Sequence, residues 1–145
     1  MVSSQADKPF WGSELQINQI KIMYTTANTL LSAVTATTTS AGIAVGDRVK
    51  MSIQFIGTSL TVGIKTATFL VTVSDDGTNY ITYNRLTDNL TNTNSQNDTR
   101  VGSCALTSNT SKIYFFPEGD HFEYLKATVN LPNGGTATAI LHSVI

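Results

Sequence analysis

The clearest pattern in the chain is a period of two. Val49, Met51, Ile53 and Phe55 alternate with Lys50, Ser52 and Gln54, which puts one face of a strand in a core and the other in solvent. Ala67, Phe69, Val71 and Val73 repeat the pattern against Thr66, Thr68, Leu70 and Thr72. Leu70 makes that strand locally apolar on both faces. Leu15, Ile17, Ile20, Ile22 and Tyr24 alternate with one break near Asn18, which a bulge would absorb. A strand is expected from Thr29 to Thr38, with Leu31, Ala33 and Thr35 on one face. A helix over 26–36 is conceivable, but the β-branched content there argues against it.

Turn residues punctuate these runs. Gly46-Asp47 is one turn, and residues 57–63 are a turn or a short irregular piece. Asp75-Asp76-Gly77-Thr78 is the strongest, because Asp-Gly supplies the positive dihedrals of a tight hairpin, with Tyr80, Ile81 and Tyr83 on the return strand. Residues 85–99, rich in Asn and Thr, form a long exposed loop. Beyond it, Cys104 and Leu106 oppose Val101, Ser103, Ala105 and Thr107, and residues 112–116 make a short strand after the turn at Ser108-Asn109-Thr110. Pro117-Glu118-Gly119-Asp120 turns the chain again. Phe122, Tyr124 and Lys126 then share one phase, and Ala127, Val129 and Leu131 continue. Pro132-Asn133-Gly134-Gly135 is expected to close a hairpin with a terminal strand bearing Ala137, Ala139, Leu141 and Ser143 on one face. The pattern predicts an all-β fold: a single antiparallel β-sandwich, jelly-roll-like, of eight to nine strands and without a helix.

The first residues break from this pattern. A polar stretch runs into Pro9, Phe10 and Trp11 and then Gly12. Either these aromatics fold back over one end of the domain, or they tip an extended arm that docks on a neighbour, as interface aromatics do. The expected organisation is an N-terminal arm over 1–13 and a sandwich over 14–145.

Composition sharpens the picture. Only 13% of the residues are charged, well below the usual quarter, and polarity comes from Thr, Asn and Ser. Nine Lys/Arg against ten Asp/Glu leave a formal charge of -1, which gives little steering towards nucleic acid or anionic lipid and little repulsion between copies. The basic residues are dispersed, so no nucleic-acid partner is expected. No run reaches the roughly 18 apolar residues of a membrane helix, and no secretory signal is visible, so no membrane partner is expected either. The Asn-Xaa-Ser/Thr triplets at Asn89, Asn97 and Asn109 are expected by chance in so Asn- and Thr-rich a chain.

Candidate chemistry is sparse. Cys104 is the lone cysteine and reads as a small packed hydrophobe. His121 and His142 could approach each other only if the last two strands were neighbours, and zinc needs three or four ligands. Asp75, Asp76 and Asn79 offer oxygens for Ca²⁺, but their spacing is not that of an EF-hand and turn geometry explains them. Glu118, Asp120 and Glu123 read as turn residues beside a solvated strand end. No phosphate loop or nucleophile context is present. The expectation is no enzyme, no metal, no cofactor and no small-molecule substrate.

The segment Phe69-Leu70-Val71-Thr72-Val73-Ser74-Asp75-Asp76-Gly77-Thr78-Asn79-Tyr80 resembles a strand–turn–strand phrase of phage structural proteins. The phrase also occurs in discoidin-like sandwiches, which often bind sugars. Tyr124-Leu125-Lys126-Ala127-Thr128-Val129 and Gly134-Gly135-Thr136-Ala137-Thr138-Ala139 have a similar character. Taken with size, Thr/Asn richness and the aromatic arm, the chain resembles the small decoration, or cement, proteins of tailed-bacteriophage capsids, over residues 66–84 and 120–145. That resemblance implies a virion structural protein, made in the host cytoplasm and bound to the outer capsid surface. It implies a homo-oligomer, a trimer by preference, that bridges and stabilises neighbouring major capsid protein subunits. Pro9, Phe10 and Trp11 would then be arm anchors, an assignment from aromatic content alone. The alternative is a carbohydrate-binding sandwich of a phage tail or host-attachment structure, using tyrosines such as Tyr80, Tyr83, Tyr114 and Tyr124.

Overall fold

The computed structural model describes residues 26–88 and 100–144. Alternation organises it throughout. In β4 (Lys50–Thr58) Ile53 and Phe55 are fully buried, and in β5 (Ala67–Ser74) so are Ala67, Phe69 and Val71. The other strands among the described residues are β1 (Thr26–Val34), β2 (Thr38–Thr39), β3 (Ile43–Ala44), β6 (Ile81–Thr82), β7 (Ser103–Leu106), β8 (Thr110–Phe115), β9 (Tyr124–Asn130) and β10 (Thr136–Val144). No helix occurs among them.

The strands form two antiparallel sheets, β1-β10-β4-β8 and β2-β9-β5-β6, with β3 also on β9 and β7 also on β5. The short strands are halves of interrupted edges. β2 pairs Thr38 with Val129, and β3 pairs Ile43 with Leu125 further along the same side of β9. Likewise β6 and β7 share one side of β5, opposite Thr72–Val73 and Ala67–Leu70 respectively. Merging each pair leaves eight strand positions, paired first with last, second with seventh, third with sixth and fourth with fifth. That is the rolled ribbon of a jelly roll. Phe55 and Phe69, from opposite sheets, stack at 4.5 Å between ring centroids and mark the middle of the core.

Three local readings change. β1 ends at Val34, and Ala33 is exposed with a φ of 47°. Register shifts after Thr29 and Leu31 bulge the strand, so Leu31 enters the core while Ala33 leaves it. The connection after β5 spans residues 75–80, longer than a tight hairpin. Pro132-Asn133-Gly134-Gly135 is no hairpin at all: β9 and β10 lie in different sheets, and the turn carries the chain from one layer to the other.

The break between β2 and β3 shows how an edge is held without regular pairing. The Ser40 N–H donates to the Ala127 carbonyl at 2.8 Å, and the Ala127 N–H donates to Ser40 Oγ at 3.0 Å. A hydroxyl thus takes the place of a strand carbonyl for a buried amide. Ser40→Ala is expected to leave that amide unpartnered and to cost about 1–3 kcal/mol, read as a shift of the urea midpoint at constant slope. Ser40→Thr, which keeps the hydroxyl, should recover most of it.

The chain between β6 and β7 ties the sheets at their free edge. Leu86 pairs with Val101, and Thr87 pairs with Phe115 of β8 in the other sheet, by bonds of 3.1 and 2.7 Å. Leu86 and Thr87 are buried there, so the expected loop is exposed only in part at its start.

Candidate functional site

Two clefts and one projecting turn are the candidate functional features among the described residues. The first cleft lies where residues 75–81 face residues 119–122. It encloses about 580 Å³, in the range of ligand sites. Its chemistry is largely spent within the fold. Asp76 Oδ1 accepts hydrogen bonds from Ser74 Oγ, the Thr78 N–H and the Asn79 N–H, each at 2.8 Å, and Oδ2 accepts from Asn79 Nδ2 at 2.8 Å. Gly77, at a φ of 77°, makes the reversal. The Asp-Asp-Gly-Thr phrase is therefore a carboxylate-centred turn.

The hydrogen bonds from Asn79 and Thr78 hold the Asp76 carboxyl well below the ordinary carboxylate range. A depressed folded-state pKa stabilises the fold above the unfolded pKa and loses that contribution as pH falls towards the folded one. Acidification from about pH 5 to about pH 2 should therefore lower the melting temperature of the wild type more steeply than that of Asp76→Asn. Parallel curves would contradict this role.

On the opposite wall, Asp120 Oδ2 accepts from Tyr83 Oη at 2.6 Å and from Arg85 Nε at 2.7 Å. Burial alone would raise the Asp120 carboxyl, but these two donors more than offset it and hold it low. Burial first, and Asp120 second, push the Tyr83 hydroxyl up. The Tyr83 ring packs on Phe116 and Phe122 at 5.2 and 5.5 Å.

The three carboxylates of this loop go separate ways. Glu118 meets Lys50 at 3.4 Å, Asp120 meets Arg85, and Glu123 Oε1 meets His121 Nε2 at 3.1 Å. His142 lies on β10 in the other sheet and contacts Gln54 at 3.4 Å. The two histidines are not on neighbouring strands, and no group of three metal-ligating side chains occurs among the described residues. Cys104 is buried, and burial pushes its thiol up despite a hydrogen bond with Tyr114.

The tyrosines are likewise engaged. Tyr83 and Tyr114 are buried. Lys126 Nζ sits 4.2 Å from the centroid of the Tyr80 ring, a cation–π contact. Tyr124 packs where a side chain on Gly77 would stand. Pro9, Phe10 and Trp11, the expected interface residues, lie outside the described residues, as does the whole arm over 1–13.

Sequence reasoning did not single out the apolar features. Val62 and Ile64 are 71% and 61% exposed on the turn between β4 and β5. At the far end of β4 a second cleft of about 400 Å³ is lined by the apolar Met51, Phe115, Phe116 and Val144, by the polar Ser52, His142 and Ser143, and by the ion-paired Lys50 and Glu118. The available signal was Val62 inside, and Ile64 just beyond, the turn or irregular piece expected over 57–63, where apolar side chains have no core to enter.

No protein-family model matches the chain, and no curated protein matches it. Solved structures do. The SPBc2 prophage-derived protein YomS aligns with a TM-score of 0.54 at 16% identity, over 81% of this chain and 92% of its own, which shows a shared fold. The PBSX exported protein XepA (TM-score 0.46, 8% identity, 83% of this chain and 37% of that one) is a looser match. So is a structure of Desmodium yellow mottle tymovirus (TM-score 0.47, 10% identity, 81% of each chain). Both are too distant to argue from.

Proposed function

We propose that this chain is a structural protein of a bacteriophage particle. In this reading it self-associates, by preference as a trimer, and binds the outer capsid surface, bridging and stabilising neighbouring major capsid subunits. The observation that carries it is the set of large aliphatic side chains that the fold holds in solvent at its ends, above all Val62 and Ile64. Single exposed aliphatics are ordinary on any surface. Here Val62 and Ile64 sit together on one ordered turn of a chain with only 13% charged residues, which suits burial against other protein. The likeness to a prophage-derived protein is in keeping with a phage origin, although a fold by itself does not fix a function. Pro9, Phe10 and Trp11 would add aromatic anchors at the capsid.

The test combines native mass measurement with co-sedimentation on capsid shells prepared without this chain. The expected result is an oligomer of three chains that pellets with the shells, and whose docking is strongly weakened by deleting residues 1–12. A chain that stays monomeric and never pellets with shells overturns the reading.

A further inference from the structure

The second cleft lies at one end of the sheet β1-β10-β4-β8, where β4 starts and β8 and β10 finish. β1 starts there too. Its first residue, Thr26, pairs with Ser143, Ser143 pairs with Met51, and the Phe116 N–H donates to the Met51 carbonyl at 3.1 Å. These four residues make one row across the end of the sheet, and the last three of them line the cleft. The twenty-five residues that precede β1 therefore join the domain at the lip of this cleft.

Reach is no obstacle. Three inter-strand spacings, about 14 Å, separate Thr26 from the Phe116 wall. Ten residues in extended conformation span about 33 Å, so residues 15–24 are long enough to cross the cleft.

The chemistry of the two matches. Met51, Phe115, Phe116 and Val144 give the cleft an apolar wall, and Ser52, His142 and Ser143 add hydroxyl and imidazole groups. Val49 is 63% exposed and its N–H donates to the Val144 carbonyl at 2.8 Å, so it extends the apolar rim. The two acid and base side chains of the rim, Lys50 and Glu118, pair with each other at 3.4 Å. The occupant that suits such a cleft is apolar, nearly uncharged and able to make neutral hydrogen bonds. In residues 15–24 six of the ten side chains are large and apolar, three are neutral amides, and Lys21 carries the one charge. Left in water, that many apolar side chains would forgo a large burial gain. The segment is also tethered beside the cleft, at an effective concentration on the order of millimolar, whereas any second chain must arrive from solution.

We infer that residues 15–24 of this chain cover its own cleft at the start of β4, with their apolar side chains against Met51, Phe115, Phe116 and Val144. The arm over 1–13 then departs from this end of the sandwich, at the opposite end of β4 from Val62 and Ile64. The covering depends neither on self-association nor on a capsid.

Lys21 makes this testable by limited trypsin digestion of the full-length chain, followed by mass spectrometry. Lys8 precedes Pro9, a bond that trypsin does not cleave, so Lys21 is the first site along the chain. Cleavage after Lys21 tracks the population in which the segment is released. Phe115→Asp spoils the cleft and should raise that cleavage at least about tenfold over the wild type, with circular dichroism unchanged. The wild-type rate should be the same at about 1 µM and about 100 µM protein, as an intramolecular contact requires. Should Phe115→Asp fold poorly, Ile17→Ser/Ile20→Ser carries the test from the segment side, alters no described residue, and should raise cleavage by a similar factor. Wild-type cleavage as fast as that of the variants overturns the inference. So does a folded Phe115→Asp chain as well protected as the wild type, which would put the segment elsewhere. Protection that appears only at the higher concentration overturns it too, and assigns the cleft to a second copy.

Discussion

Phe55→Ala is expected to lower the unfolding free energy by about 3–5 kcal/mol, out of the roughly 5–15 kcal/mol typical of a domain. Phe55 comes from β4 and Phe69 from β5, so their stacked rings, tilted by only 25°, join the two sheets rather than neighbours within one. Both side chains are fully buried, and Phe55 also meets Tyr114 at 6.0 Å. Truncation therefore opens a cavity walled by both layers, which cannot close without moving a sheet. Urea unfolding reads the loss as a lower midpoint at unchanged slope. Phe69→Ala should cost a similar amount. The double variant should fall short of the sum of the two losses by about 0.5–1.5 kcal/mol, the coupling of an aromatic pair. Ile113→Ala, at an exposed position of β8, should stay within about 0.5 kcal/mol of the wild type. A Phe55→Ala loss below about 1 kcal/mol would mean that the sheets are not packed through this pair.

Gly135→Val is expected to cost about 3 kcal/mol or more. Gly135 has a φ of 105°, a conformation that a β-branched residue does not adopt without strain. A Cβ there would also stand 2.6 Å from Leu60 Cδ2, and Leu60 is a buried anchor of the projecting turn. The substitution thus strains the passage from β9 to β10 and pushes on the base of residues 61–65. Gly134 is the control. Its φ is 89°, but nothing lies within 4 Å of a Cβ, so Gly134→Ala should cost only the backbone strain, about 1–2 kcal/mol. Equal losses at the two positions would contradict the packing role assigned to Gly135.

Alternation was a reliable guide wherever one face of a strand enters the core. The phase of β4 was legible because Ile53 sits between Ser52 and Gln54, and those of β5, β7 and β10 because the buried set Phe69 and Val71, Cys104 and Leu106, and Ala139 and Leu141 keeps a period of two even where Leu70, Ala105 and Ile140 beside it are apolar. What a local pattern does not encode is which sheet a strand joins. Pro132-Asn133-Gly134-Gly135 carries the same residues whether it closes a hairpin or crosses between layers, and the choice is made by what β9 and β10 pair with far along the chain. Phase also fails where the backbone departs from two residues per repeat, as at Ala33.

At the candidate site, the Asp-Gly turn was visible, but the commitment of both Asp76 carboxylate oxygens to Ser74, Thr78 and Asn79 was not. The apolar cleft was hidden for another reason. Met51, Phe115 and Val144 come from three strands that only the jelly-roll order brings together.

The most direct test of the account is an electron cryomicroscopy map of the assembled particle. The account predicts density for this jelly roll on the outer capsid surface, in contact with more than one major capsid subunit, and lost from particles made without the chain. A map with the chain absent from the capsid, or placed only on the tail, would contradict it.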